Sequence, residues 1–557
     1  MTITLFISDY YAYFAKQGGE SLAIAVLLLY TGIVVFLGFL SKRATRGRDE
    51  EFLDGGRRFG FWHVFLLVTA MWASWMLPVE LETAFLSGLS AVWFGASIIV
   101  MSLVAAIFLL APFRKLGYLT NSQLIGRRYG KLARGIAAAI IAGTFPIFAM
   151  GNVVAAAALL QILLGWPLWV TLAGASLVIL LYVSLNGLWS LAYTQVANLL
   201  VMTVGVVVAA VYVLRGHAVL HPAVLPSAGF LRLGGIGLGM ILVWFAMNLL
   251  NTVTAQAEFQ AMAAVKDPVV GRRAVYLSSL VLIAFAIVPV LLGIATREEF
   301  PHATNGLVAF AQLIARDAPH WAVLVVIVGF WASALTWCSP LLFSGASSFG
   351  LDLWNRASLP HTAPAVRRWI KWSVLLQCAL LVVYALARPN DLSWWQVFGM
   401  TIRNAVVVAP TIVFLVWPVV RARTVVASML TGLLAGLVWN AVTGFSPSVF
   451  LFGINPMWAG TGASLLVMIL GTVLYPAGRL RISRSAWRVQ AGAALVLLGT
   501  VALPLGAAEP TLVAAGLRGP VMFFGVTAWF FGLVAAVEEA RTEPAIQGAA
   551  PTPAQAD

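Results

Sequence analysis

The sequence predicts an all-α bundle embedded in a membrane, and three observations carry that reading. Of its 557 residues 61% are hydrophobic and only 10% charged, with a mean hydropathy of +0.95, a balance that no water-soluble globule sustains. Continuous apolar runs recur from Leu22 to Pro520, each close to the roughly 20 residues that a hydrocarbon core of about 30 Å requires. These runs do not alternate, which excludes barrel strands, whose hydrophobicity has a period of two over about ten residues.

Fifteen segments meet the length requirement: residues 21–40, 61–86, 91–111, 134–163, 167–186, 193–214, 235–256, 274–296, 320–348, 368–387, 395–418, 423–443, 455–475, 487–505 and 519–538. With the amino terminus outside, 26 of the 34 Lys and Arg residues fall in the cytoplasmic loops or the first few residues of the spans that leave them, among them Lys42, Arg43, Arg46, Arg48, Arg57 and Arg58. The positive-inside rule therefore places the amino terminus outside and the carboxy terminus in the cytoplasm. A net charge of +14 scattered over short loops is no nucleic-acid face, so the lipid bilayer is the expected large partner. The opening MTITLFISDYY lacks a basic n-region and a cleavage site, which makes the first apolar run a retained span. Cys338 and Cys378 lie in apolar runs as buried thiols. The Pro/Ala-rich tail is expected to be disordered and to carry no fused signalling domain. The organisation expected is a peripheral first span with a basic loop (1–60), a transport core (61–418), peripheral spans (419–540) and the tail (541–557). The Arg-rich, Ala/Gly-rich composition points by association to a bacterial inner membrane.

Interrupted helices mark the binding sites of secondary transporters, at corresponding places in two repeats. Span two carries Ser74, Pro78, Glu80 and Glu82 in its second half, and span seven concentrates Asn248, Asn251, Thr252, Thr254 and Gln256 in its own. Five spans separate them, so spans two to six and seven to eleven can form an inverted pair. Glu80 and Glu82 are the two acidic residues read as lying well within a span, where a charge costs at least about 2.5 kcal/mol. They serve either as a protonatable coupling group or substrate counter-ion, or as a dipole-complementing cap of a half-helix begun by Pro78. Arg403, inside span eleven, pairs with one of them or binds a substrate carboxylate, and the ion pair is the favoured expectation because an unpaired buried Arg is costly.

The stretches GGRRFGFWHVFLLVTAMWASW, GLSAVWFGAS, LTNSQLIGRRYG, GLWSLAYTQVANLLVMTVG, FQAMAAVKDP and ALTWCSPLLFSGASSFGLDLW occur, in this order, between about residues 50 and 355. Together they resemble the sodium/solute symporter family. The resemblance implies a leucine-transporter-like five-plus-five inverted repeat over spans two to eleven and alternating access. It also implies a sodium ion between carbonyls near Ala70 and Ala73 and the hydroxyls of span nine, Thr336 with Ser333 one turn earlier. Two positions depart from the family: Trp337 stands where a second hydroxyl is expected, and Gln195 where an Asp often follows Thr194. The Trp337 indole has no lone pair for a cation, so one expected ligand is lost there, and together the two departures weaken the expected sodium coupling.

Trp72, Ser74, Trp75, Phe145, Phe148, Asn152, Asn248, Asn251 and Thr252 are the expected cavity residues, rings giving shape and amides hydrogen bonds. The function expected is cation-coupled symport of a small polar organic solute, with sodium favoured over protons as coupling ion and no other cofactor. The chain is not expected to be an enzyme. A transport-like receptor acting through a separate partner and an uncoupled facilitator stand as alternatives.

Overall fold

The computed structural model describes residues 19–45, 52–116, 119–216, 229–354, 364–388, 392–417 and 419–539. The amino-terminal segment, the tail, Arg46 and Arg48 lie outside the described residues. Among these residues the chain is helical almost throughout, as backbone groups in hydrocarbon must find partners within their own segment.

The first helix, α1 (Gly19–Thr45), precedes α2 (Phe61–Ser87), and α3 (Val92–Val104) runs through a π-turn (Ala105–Leu109) into α4 (Leu110–Leu116). Next come α5 (Asn121–Leu164), α6 (Leu168–Asn186) and α7 (Leu188–Gly216). The chain continues through α8 (Leu238–Asn251), α9 (Gln256–Ala263), α10 (Pro268–Glu299), the short amphipathic α11 (Gly306–Asp317) and α12 (His320–Ser348). After it come α13 (Pro364–Ala387), α14 (Leu392–Val416), α15 (Ala422–Val442), α16 (Pro456–Leu474), α17 (Ala486–Ala508), α18 (Pro510–Ala514) and α19 (Arg518–Ala536).

Each of the fifteen expected segments falls on this helical framework, although the count itself is lower by length and composition. Twelve continuous stretches among the described residues are long and apolar enough to cross a bilayer, thirteen if the bent pair α8–α9 is one span. The reduction has local causes. Segments 61–86 and 91–111 form one continuous stretch, Phe61–Leu116, turned at Gly88. Gly88 has φ +69°, and Leu89 N–H bonds to Phe230 O at 2.9 Å, so a side chain at Gly88 would collide with the Phe230 carbonyl.

The best-covered elements are α5 and α12, each with 94% of its apolar window buried inside the protein. Helix α12 lies between α5 and α7, and α2 runs along α10. Helix α5 bends at Gly130 (φ +86°), in the GRRYG stretch, which separates a short leading segment from the long buried one. One feature had no signature in the hydropathy: β1 (Leu480–Ile482) pairs antiparallel with β2 (Val537–Glu539), with Arg481 held to Glu538 at 3.0 Å.

Small residues set the close crossing of α7 and α12, as in membrane interiors generally. A Cβ built on Gly205 of α7 would stand 2.8 Å from the Cα of Gly329 on α12, and the reverse holds equally. Gly329→Leu or Gly205→Leu should therefore destabilise the solubilised protein by about 1–3 kcal/mol, the usual cost of forcing volume into a packed core. An unchanged melting midpoint in both variants would show that these helices do not meet there.

Candidate functional site

Two prolines set the chemistry of the centre. A proline has no N–H, so the carbonyl four residues earlier loses its helical partner. Pro78 frees the Ser74 carbonyl in α2, and Pro340 frees the Thr336 carbonyl in α12. Side chains from other helices take up both. Asn152 Nδ2 on α5 donates to Ser74 O at 2.6 Å, and Ser333 Oγ donates to the same oxygen at 3.0 Å. Asn152 Nδ2 also reaches Ser333 Oγ at 2.9 Å. Gln195 Nε2 on α7 donates to Thr336 O at 2.8 Å. The remaining amide oxygens, Asn152 Oδ1 and Gln195 Oε1, are buried without a hydrogen-bond partner.

This arrangement corrects two expectations. The first repeat's helix is not interrupted: α2 runs helically from Phe61 to Ser87 with Pro78 inside it. The carbonyls of Ala70 and Ala73 therefore stay in the helical ladder, and the carbonyl released is that of Ser74. Of the expected hydroxyls, Ser333 is at that carbonyl, whereas Thr336 Oγ1 donates back to Ala332 O at 2.6 Å. At the two positions that depart from the family, Gln195 supplies a donor to a carbonyl, and Trp337 turns away to give its N–H to Phe148 O at 2.8 Å.

The second interruption is present. Helices α8 and α9 meet at 45° across Thr252–Ala255. The break is braced by Asn121, whose Nδ2 donates to Val253 O at 2.5 Å, and by Gln256, whose Nε2 donates to Ser344 O at 2.9 Å and Ser348 Oγ at 2.9 Å. Beside it lies a cavity walled by six helices. Trp72 and Trp75 come from α2, Phe145 and Phe148 from α5, Asn248, Asn251 and Glu258 from the broken pair, Trp337 from α12, and Gln396, Met400 and Arg403 from α14. Trp75 stacks on Trp337 with centroids 4.7 Å apart, and Trp72 lies 5.4 Å from Trp337. The free space at the centre is about 20 Å³, room for a single water molecule. Ser74, Asn152 and Thr252 do not line it. The first two form the proline junction next door, and Thr252 Oγ1 bonds back to Asn248 O at 3.4 Å.

The intramembrane charges are arranged otherwise than expected. Arg403 pairs with neither Glu80 nor Glu82. Its guanidinium packs against Phe148 and Phe145, two rings that meet edge to face, with Cζ 4.5 and 5.3 Å from their centres, while Nη2 donates to Asn251 Oδ1 and, at 3.1 Å, to Met400 Sδ. Aromatic faces and an amide oxygen offset its burial in place of a carboxylate. Glu82 Oε2 accepts the N–H of Leu392 at 2.9 Å, capping the first turn of α14. Glu80 is fully buried against Gly95 of α3, with no side-chain partner.

Glu258 is the charged residue that sequence reasoning missed. It is fully buried and lines the cavity, and its Oε1 accepts Ser102 Oγ–H at 2.9 Å. Its signal was the polar run NLLNTVTAQAEF, which continues past the end assigned to span seven. Two of the recognised stretches also meet away from the cavity. Asp352 of FGLDLW accepts Thr120 Oγ1 at 2.8 Å and Ser122 Oγ at 2.5 Å, both from LTNSQLIGRRYG, and Arg134 Nε at 2.7 Å.

A helical membrane bundle with a broken helix beside a polar cavity is the architecture of a secondary transporter. The profile of the sodium:solute symporter family matches residues 52–432, and the chain belongs to that family. It is 22% identical to the sodium/proline symporter of Escherichia coli over 73% of this chain and 85% of the relative. It is 30% identical to sodium-coupled monocarboxylate transporter 2 of Danio rerio over 34% of this chain. That match spans 30% of the relative's length, and the match to the human high affinity choline transporter 1 spans 50%. A Na+-coupled sialic acid symporter, solved in a substrate-bound outward-open state, has the same fold, with a TM-score of 0.63 at 17% identity over 81% of this chain and 97% of that one.

The proline junction makes a sharp prediction. Asn152→Leu should cost about 1–3 kcal/mol by leaving the Ser74 carbonyl under-satisfied. In a Pro78→Ala background the restored backbone N–H should shrink that cost, a coupling that a double-mutant cycle on melting midpoints reads directly. Additive losses would mean that Asn152 does not serve that carbonyl. Glu82→Gln and Arg403→Gln, by contrast, should add within about 0.5 kcal/mol, since they do not touch.

Proposed function

We propose that the protein is a sodium-coupled symporter that carries a small polar organic solute across the membrane by alternating access. The observation that carries this reading is the pair of oxygens at the proline junction, Ser74 O and Ser333 Oγ, with the Asn152 amide against both; Ser74 directly precedes Trp75 of the cavity wall, and Asn152 lies one turn beyond Phe148. Sodium is a hard cation that takes carbonyl and hydroxyl oxygens. The Ser74 carbonyl, freed from its helix by Pro78, and the Ser333 hydroxyl supply two such ligands, with Thr336 one turn away. An amide rotation at Asn152 would bring Oδ1 to the ion and turn Nδ2 aside. Gln195 already occupies the Thr336 carbonyl with a donor, so the site draws on fewer oxygens than an Asp at that position would offer.

The solute would sit among Trp72, Trp75, Asn248, Asn251 and Arg403, in the cavity next to the ion. Relatives named for monocarboxylates, proline and choline support a small organic solute as the cargo class. The inverted-repeat core is assigned to residues 61–418, with the amino terminus outside and the carboxy terminus in the cytoplasm of a bacterial inner membrane, following the basic loops. The receptor and facilitator readings are not favoured by membership of a symporter family. Protons are a second coupling reading, and Glu80 is the residue that favours it, being a buried carboxyl with no side-chain partner.

Purified protein reconstituted in vesicles should accumulate solute against its gradient when sodium is outside and lose that accumulation when N-methyl-D-glucamine replaces sodium. Ser333→Ala should raise the sodium concentration needed for half-maximal uptake by about tenfold, the loss of one ligand worth about 1.4 kcal/mol. Full uptake without sodium, together with loss of its pH dependence in Glu80→Gln, would transfer coupling to the proton.

A further inference from the structure

The cavity holds one cationic and one carboxylate side chain, and no ion pair joins them. Arg403 and Glu258 are both almost wholly buried, at 2% and 0% exposure, and both line the same space. Opposite charges in a low-dielectric interior attract strongly, so keeping them apart requires separate restraints. Each has one. Phe145 and Phe148 pack against the guanidinium while Asn251 and Met400 hold Nη2, and Ser102 holds Glu258 Oε1. What is left over on each side is unsatisfied. Arg403 Nε is a buried donor with no hydrogen-bond partner, and Glu258 Oε2 is a buried acceptor with none. Trp72 Nε1 lies beside Glu258 and also closes no hydrogen bond. Buried polar groups without partners are rare and costly. Here side chains of opposite charge, one with a spare donor and one with a spare acceptor, line one cavity together with the rings of Trp72, Trp75 and Trp337.

We infer that the cavity recognises a compact amphoteric solute of amino-acid type, its carboxylate held at Arg403 and its cationic group held at Glu258 against the tryptophan rings. A carboxylate supplies the acceptor that the guanidinium lacks, in a charge-assisted bond. An ammonium supplies the donor that Glu258 Oε2 lacks and gains the ring faces by cation–π attraction. A purely anionic solute would satisfy Arg403 and meet Glu258 with a like charge, and a purely cationic one would do the reverse. The amphoteric solute alone leaves neither side chain unpaired and brings no net charge into the membrane. The small free space restricts it to a few heavy atoms, with the rings parting to admit it. This inference rests on the symporter reading of the same cavity and narrows its solute.

The test uses full-length purified protein in saturating sodium chloride, with intrinsic tryptophan fluorescence as the readout, because Trp72, Trp75 and Trp337 line the site. Sodium is titrated first without any solute. A saturable response to sodium supports ion binding independently of the solute class, so the symporter reading and this inference stand or fall separately. Size-matched probes follow: propionate, propylamine and β-alanine, with glycine and 4-aminobutanoate as rulers of charge separation. At least one of the three amphoteric probes should bind saturably, and propionate and propylamine should bind about 10- to 100-fold more weakly than it, the loss of one charge-assisted bond. Glu258→Gln should narrow the gap between propionate and that amphoteric probe, and Arg403→Gln the gap between propylamine and it. If either variant fails to fold, the ranking on the unaltered protein decides alone. Propionate or propylamine binding as tightly as every amphoteric probe, or no saturable response to any amphoteric probe, overturns the inference.

Discussion

The constraint on which the centre of this molecule depends is the missing N–H of proline in two helices that water cannot reach. In an aqueous protein the freed carbonyl would be hydrated at little cost. Inside a bilayer each orphaned carbonyl must be paid for by a donor from another helix or the helix will not insert. Pro78 and Pro340 thereby oblige α5 and α7 to present amides, Asn152 and Gln195, at defined heights against α2 and α12. These bonds fix the relative register of four helices. The same residues that satisfy the backbone bring the Ser74 carbonyl and the Ser333 hydroxyl together, so the structural requirement and the proposed ion site share their atoms.

The cavity extends this economy to charge. A guanidinium held by two phenyl faces and an amide oxygen keeps unsatisfied bonding capacity, whereas one held by a carboxylate has spent it. Had Arg403 closed on Glu82, α14 would have lost its amino-terminal cap and the cavity its cation. Glu82 instead ties the first turn of α14 to α2, which holds the Arg403-bearing helix in place without touching the Arg403 charge. Separating the structural carboxylate from Arg403 leaves its Nε without a hydrogen-bond partner.

The helical framework and the family were legible in the sequence because hydropathy over 20 residues and ordered motifs are local signals. The break at Thr252–Ala255 was legible too, since Asn248, Asn251, Thr252 and Thr254 crowd one half of an apolar run. What the sequence concealed was each partnership made across distance. Pro78 in an apolar run reads as an interruption, and nothing near it announces that Asn152 and Ser333 will repair the helix. Arg403 reads as half of an ion pair because charge is visible in a sequence, whereas a clamp built from Phe145 and Phe148, some 250 residues earlier, is not. Glu258 was lost to the ruler itself: the irregular residues at the break lengthen the traverse, so an end set at residue 256 by counting falls short of a carboxylate two positions on. The β1–β2 ribbon is three residues long on each side and has no periodicity to detect.

Proximity of the ion cluster to the cavity gives coupling a short physical route under the proposed function. Asn152 lies four residues, about one turn, beyond Phe148 on α5, and the Phe148 and Ala149 carbonyls accept Trp337 Nε1–H and Cys338 Sγ–H from α12. The Asn152 amide donates to Ser74 O and Ser333 Oγ. A cation at those oxygens repels the same N–H groups and calls for the amide oxygen in their place. The two amide orientations are discrete alternatives, and under the proposed function a switch between them would act on the turn that carries Phe148. Since Phe148 covers the Arg403 guanidinium and Trp337 covers Trp75, a sub-ångström shift of that turn changes both the cation's clamp and the stacked ring wall. Thermodynamic linkage then requires the solute, by drawing on the same clamp, to alter sodium affinity by the same factor that sodium alters its own. In this fold the coupling would need no long pathway: a single turn of α5 borders both sites.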